Sequence, residues 1–94
     1  MDDKRIFKYE LAITDMESLF IPEGAIPLCV KVQPWNGDMV VLYALVDIDK
    51  PEEEVHYRII GTGHPIEIDF DGTYLDSFVL PSAELIFHVF IIKN

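Results

Sequence analysis

Ninety-four residues, half of them hydrophobic and including six Phe, four Tyr and one Trp, suit one domain over residues 1–94 with a modest core and exclude a chain disordered for want of apolar side chains. Seventeen acidic residues against seven basic ones give a net charge of −10, which argues against DNA, RNA or an anionic membrane surface as partners, because those affinities rest on cations that neutralise phosphate. No stretch approaches the ~20 apolar residues of a membrane span, the opening Met-Asp-Asp-Lys-Arg lacks the apolar core of a secretion signal, and the single Cys29 has no internal disulfide partner, so a cytoplasmic location is expected.

In chain order, RIFKYEL alternates Ile6, Lys8 and Glu10 with Phe7, Tyr9 and Leu11, the period-two pattern of a strand solvated on one side. ITDMESLFIPEG offers Thr14 or Asp15 as a cap for a helical turn, but Pro22 and Gly24 cut it short, and a strand over residues 18–21 is expected. Over residues 25–33, Ile26, Leu28, Val30 and Val32 should face one way and Cys29, Lys31 and Gln33 the other. Asn36-Gly37 predicts a type I′ hairpin turn, whose two central residues take positive φ, so residues 38–46 should return antiparallel to 25–33. MVVLYALV and LIFHVFII are apolar on both faces, which sets them between layers or against another subunit. The charged DIDKPEEE reads as a second hairpin loop, and residues 56–60, 73–80 and 84–92 supply further strands. Six or seven short strands separated by regular turn signals predict an all-β fold, a small antiparallel β-sandwich or barrel.

The chemistry-bearing candidates gather in HYRIIGTGHPIEIDFDG. Gly61, Thr62, Gly63, His64 and Pro65 combine glycines that let a ligand approach the backbone with a hydroxyl and an imidazole, and Arg58 just upstream is one of few cations. The run lacks the lysine and spacing of a Walker loop and opens no helix, so a bend from strand into loop is the competing reading. Glu67-Ile68-Asp69-Phe70-Asp71-Gly72 mimics the first half of a calcium loop, but Phe78 stands where the closing bidentate glutamate belongs. His56, His64 and His88 fit no zinc spacing, and Ser18, Ser77 and Ser82 sit in no nucleophile elbow, so neither a metal, a cofactor nor a catalytic residue is expected. Trp35, beside the Asn-Gly turn, is read as covering a sheet end or as a stacking platform.

KYELAIT, IPEGAIPLCVKVQ, ALVD, RIIGTGHPI and the closing LIFHVF resemble, in order and over almost the full length, a family of small phage and prophage proteins known as a domain of unknown function. Gly61–Pro65 matches the most specific part of that pattern, Arg58 and His88 match as well, and Tyr43 stands where the family often has Trp. The resemblance implies an all-β fold and a phage setting, hence the cytoplasm of the host cell, without an established activity.

Together these features lead to the expectation of a non-enzymatic, phage-type binding protein that sequesters a nucleotide-derived immune signal, counters host defence, and forms a homo-oligomer through its apolar strand faces. In this reading Gly61, Thr62 and Gly63 offer backbone N–H groups to phosphate beside His64, Arg58 pairs with the charge, and Trp35 or Tyr43 stacks on a base. The alternative is a protein-interaction module acting through its acidic surface or an edge strand; a further one is a nucleotide-degrading enzyme with His64 as general base.

Overall fold

The chain switches repeatedly between two antiparallel sheets instead of folding as successive hairpins. A computed structural model describes residues 3–92 and contains β1 (Lys4–Leu11), β2 (Glu17–Pro22), β3 (Ile26–Gln33), β4 (Met39–Asp47), β5 (Glu52–Gly61), β6 (Gly72–Leu80) and β7 (Leu85–Ile92). One sheet has the order β1-β4-β3 and the other β2-β5-β7-β6, so the fold is a sandwich of three and four strands. The two runs apolar on both faces, β4 and β7, are each flanked by a strand on either side, which is where period-two reading cannot find a wet face.

Inward-facing side chains of both sheets form one core: Leu11, Val30, Val40 and Leu42 from the three-stranded sheet meet Tyr57, Ile59, Phe78 and Val89 from the other. Tyr57 is buried to the tip, and its hydroxyl accepts the Ala12 N–H at 2.8 Å, which fastens the crossing from β1 to β2. Removing that oxygen takes the partner from the Ala12 N–H and leaves a space at the buried end of the Tyr57 ring. Tyr57→Phe should therefore cost about 1 kcal/mol, read as a lower urea midpoint at unchanged slope. Burial pushes the Tyr57 phenol above its ordinary value near 10, with Glu17 and Glu10 adding to the effect and the Ala12 bond opposing it. Because the raised group favours the neutral folded form, that contribution is present below pH 10 and lost as pH rises through the raised value.

Three expectations are corrected. Ile26 and Leu28 do not join Val30 and Val32 in the core; they are 53% and 46% exposed, because a bulge between Pro27 and Cys29 breaks the alternation. Pro27 has no N–H to give to a ladder, and prolines inside strands are tolerated at bulges of this kind. The β3–β4 hairpin is present, but its left-handed residues are Gly37 (φ 63°) and Asp38 (φ 58°), not Asn36 and Gly37. Pro34 starts a 3₁₀ turn over Pro34–Asn36, where its fixed φ suits the first helical position, and so moves the left-handed pair one residue on. DIDKPEEE is not a hairpin loop: Asp47 ends β4, Glu52 begins β5, and the connection crosses between sheets, since both sides of β4 are already occupied by β1 and β3.

At one edge the sheets are tied together. β6 carries its own bulge between Tyr74 and Asp76, opposite the bulged edge of β3. The Asp76 carboxylate turned toward β3 accepts the Val30 N–H through Oδ2 at 2.7 Å and the Ser77 N–H through Oδ1 at 2.8 Å. Pro27, Thr73, Tyr74, Leu75 and Ile91 line a mostly apolar cleft of about 350 Å³ beside this junction.

Candidate functional site

Alternation along β5 sends Tyr57 and Ile59 into the core and His56, Arg58 and Ile60 to the outer side. The registers then lay Arg58 beside Phe90 and Tyr74, and Ile60 beside His88 and Ser77, so RIIGTGHP and LIFHVF meet on one face. Residues 62–71 fold back over this face. The Phe70 ring lies 5.1 Å from the Arg58 guanidinium carbon and meets Phe90 edge-on at 5.0 Å. Gly72 makes room for it, because a Cβ there would run into the Phe70 ring.

Arg58 is the tether. Its side chain is only 9% exposed, with Nη1 donating to Glu67 Oε2 at 2.6 Å, Nη2 to Asp15 Oδ1 at 2.8 Å, and Nε to the Asp15 carbonyl at 3.1 Å. These bonds, Glu67's first, raise the Arg58 pKa still further above neutrality. The same contact holds the Glu67 carboxyl below its usual value near 4.5. A depressed carboxylate stabilises the fold above its unfolded pKa, so the tether is complete above about pH 4.5 and is lost as pH falls through the lowered native value. An acid titration followed by NMR should show the Phe70 ring resonances shifting in that window while core methyl resonances stay in place.

The GTGHP run is a chain reversal. The His64 N–H donates to the Gly61 carbonyl at 3.0 Å, and Gly63 takes φ 88° at the third position of that turn, a conformation closed to most side chains. Thr62 directs both its N–H and its hydroxyl to the Ile86 carbonyl, each at 3.0 Å, which continues the pairing of β5 with β7. With that proton committed, Thr62 Oγ1 accepts from His88 Nε2 at 2.8 Å, so the neutral imidazole carries its hydrogen on Nε2. His88 Nδ1 is then the acceptor for the Tyr74 hydroxyl at 2.8 Å. The His64 ring packs on Gly61, 3.1 Å from where a Cβ would stand.

A family model described as a domain of unknown function, DUF7352, matches residues 2–94. The chain belongs to the DUF7352 family. No curated protein and no solved structure matches it. In this DUF7352 chain the structure brings together Arg58, Gly61, Thr62, Gly63 and His64 and separates them from the two proposed stacking residues. Tyr43 lies on the outer side of the other sheet, beside Lys8 and Cys29, where its hydroxyl accepts from Gln33 Nε2 at 3.3 Å. Trp35, 80% exposed, sits in the β3–β4 turn. One small ligand within a single DUF7352 chain does not span from Arg58 to Tyr43, because the sandwich lies between them.

Sequence reasoning missed Asp15, Phe70 and Tyr74 as members of this cluster. Their only signal was compositional: Phe70 is an aromatic inside an acidic loop, where a purely solvated turn has no use for one. Among the described residues no group of three His, Cys, Asp or Glu side chains is gathered for a metal ion, and no helix is long and apolar enough to cross a membrane. What the DUF7352 arrangement does chemically is lock a loop: the imidazole, both hydroxyls and the guanidinium are all engaged with one another or with the chain.

Proposed function

We propose that this DUF7352 protein is a non-enzymatic binding protein of phage type that acts by occupying a protein in the infected host cell, through the acidic outer side of its four-stranded sheet. The observation that carries this reading is Arg58 shared between Asp15 and Glu67: the cation best placed for an anionic ligand is neutralised from within. A phosphate arriving there would have to displace two carboxylates and approach Asp69 and Asp71 as well. The same acids suit a basic protein surface. Glu52 and Glu54 face outward on β5, and Glu67, Asp69 and Asp71 follow in the covering loop. On this side Phe20 is 60% exposed and Ile68 fully so, which supplies apolar anchors within a charged surround. The phage setting is supported by the likeness of GTGHP, Arg58 and His88 to the phage family pattern.

The test uses the immobilised protein beside a Phe20→Ser/Ile68→Ser variant, both exposed to lysate from infected cells. One basic protein held by the first alone, and released by salt, sustains the reading. Equal retention by both, or none by either, overturns it. A second reading, sequestration of a nucleotide-derived signal, is favoured by the cleft beside Tyr74, whose 350 Å³ falls within the range of small-molecule sites. A melting-temperature rise with a cyclic dinucleotide or an ADP-ribose derivative that disappears in Tyr74→Ala would select it.

A further inference from the structure

We propose that β1 is a self-pairing edge, through which two copies join their three-stranded sheets into one six-stranded antiparallel sheet about a two-fold axis at Phe7. The sandwich has four edge strands, and three of them are protected. β3 carries Pro27 and a bulge, β6 carries a bulge and is tied to β3 through Asp76, and β2 is six residues long and closes on Pro22. β1 has none of these devices. It runs for eight residues in unbroken register with β4, from Lys4 opposite Asp47 to Leu11 opposite Val40, and among the described residues no strand lies beyond its other side. A long, regular edge free of proline and bulges is a template for another strand, and the charged side chains that guard it are ones a second copy can pair.

The side chains and charges fit a second copy. Ile6 is 62% exposed, and Phe7 is 43% exposed although it shares the core-facing side with Tyr9 and Leu11. A chain of net charge −10 resists self-association, but β1 collects Lys4, Arg5 and Lys8 against Glu10, so two copies meet where each is least acidic.

The register follows from the pleat. For the two sheets to keep the same sides, opposed residues must point to the same face, so the axis passes through a residue and not between two. Centred on Lys8, two lysines would oppose each other; centred on Ile6, Lys4 would oppose Lys8. Centred on Phe7, Lys4 opposes Glu10 of the second copy twice over, Arg5 lies across from Tyr9, Ile6 from the stem of Lys8, and the two Phe7 rings meet at the rim of the core.

Sedimentation of the full chain at low salt should show a dimer. Lys4→Glu alone and Glu10→Lys alone should each weaken it at least tenfold, because both set like charges in opposition, while an equimolar mixture of the two variants should associate as a heterodimer with both ion pairs restored. Lys4 and Glu10 are exposed, so folding is retained and thermal melts confirm it. As a second measurement, Phe7→Cys in a Cys29→Ser background should cross-link to its own copy under mild oxidation, since directly opposed Cα atoms about 4.5–5.5 Å apart lie within disulfide reach. A wild-type chain that sediments as a monomer at every concentration, or variants that fail to recover on mixing, would overturn the proposal.

Discussion

Arg58→Ala should lower the stability of the domain by about 3 kcal/mol and release residues 62–71 from the sheet. The substitution removes three hydrogen bonds from a side chain that is 9% exposed, two of them to carboxylates, together with the guanidinium under the Phe70 ring. Bonds to charged groups contribute roughly 1.5–3 kcal/mol each, and the Phe70 contact adds up to about 1. The sum is discounted because Asp15 and Glu67 are 83% and 54% exposed and recover their hydration once the guanidinium is gone. Arg58→Lys should restore little, since an ammonium lacks the planar fork that reaches both carboxylates. Urea denaturation gives the stability and hydrogen exchange gives the loop. A loss under about 1 kcal/mol with an unchanged exchange pattern would show that the tether is ornamental.

The second large effect lies at the junction of β3 and β6. Asp76→Ala should cost about 2 kcal/mol, because the Val30 N–H belongs to a residue 2% exposed and loses its acceptor without gaining water. Asp76→Asn keeps a carbonyl oxygen for that bond and should cost about half as much. Equal losses in the two variants would point to the charge of Asp76, not to its role as acceptor for Val30.

β1 was legible from period two with one wet face, and β2, β6 and β7 from apolar runs bounded by proline, glycine and acidic turn residues; all four lie within one residue of the positions read from RIFKYEL, SLFI, TYLDSFVL and ELIFHVFII. Reading failed where one residue altered local geometry. Pro27 forced a bulge that turned Ile26 and Leu28 outward, and Pro34 lengthened the turn that Asn36-Gly37 would otherwise have made. The jump of DIDKPEEE from sheet to sheet carries no local signal at all, since which strand pairs with β4 is decided by its other neighbours. For the site, GTGHP was readable as either a loop for a ligand or a reversal, and the Gly63 turn gives its local shape. Asp15, 43 residues before Arg58 in the chain, could be found only through the fold.

That separation has a dynamic consequence. Asp15 belongs to the connection between β1 and β2, Glu67 to the one between β5 and β6, and both close on a single guanidinium that rides on β5. Two segments distant in sequence thus share one anchor, and their local opening is expected to be coupled through it above the sandwich. Loss of the guanidinium takes the side-chain anchor from both at once, whereas acid at Glu67 releases only residues 62–71 and leaves both Arg58–Asp15 bonds in place.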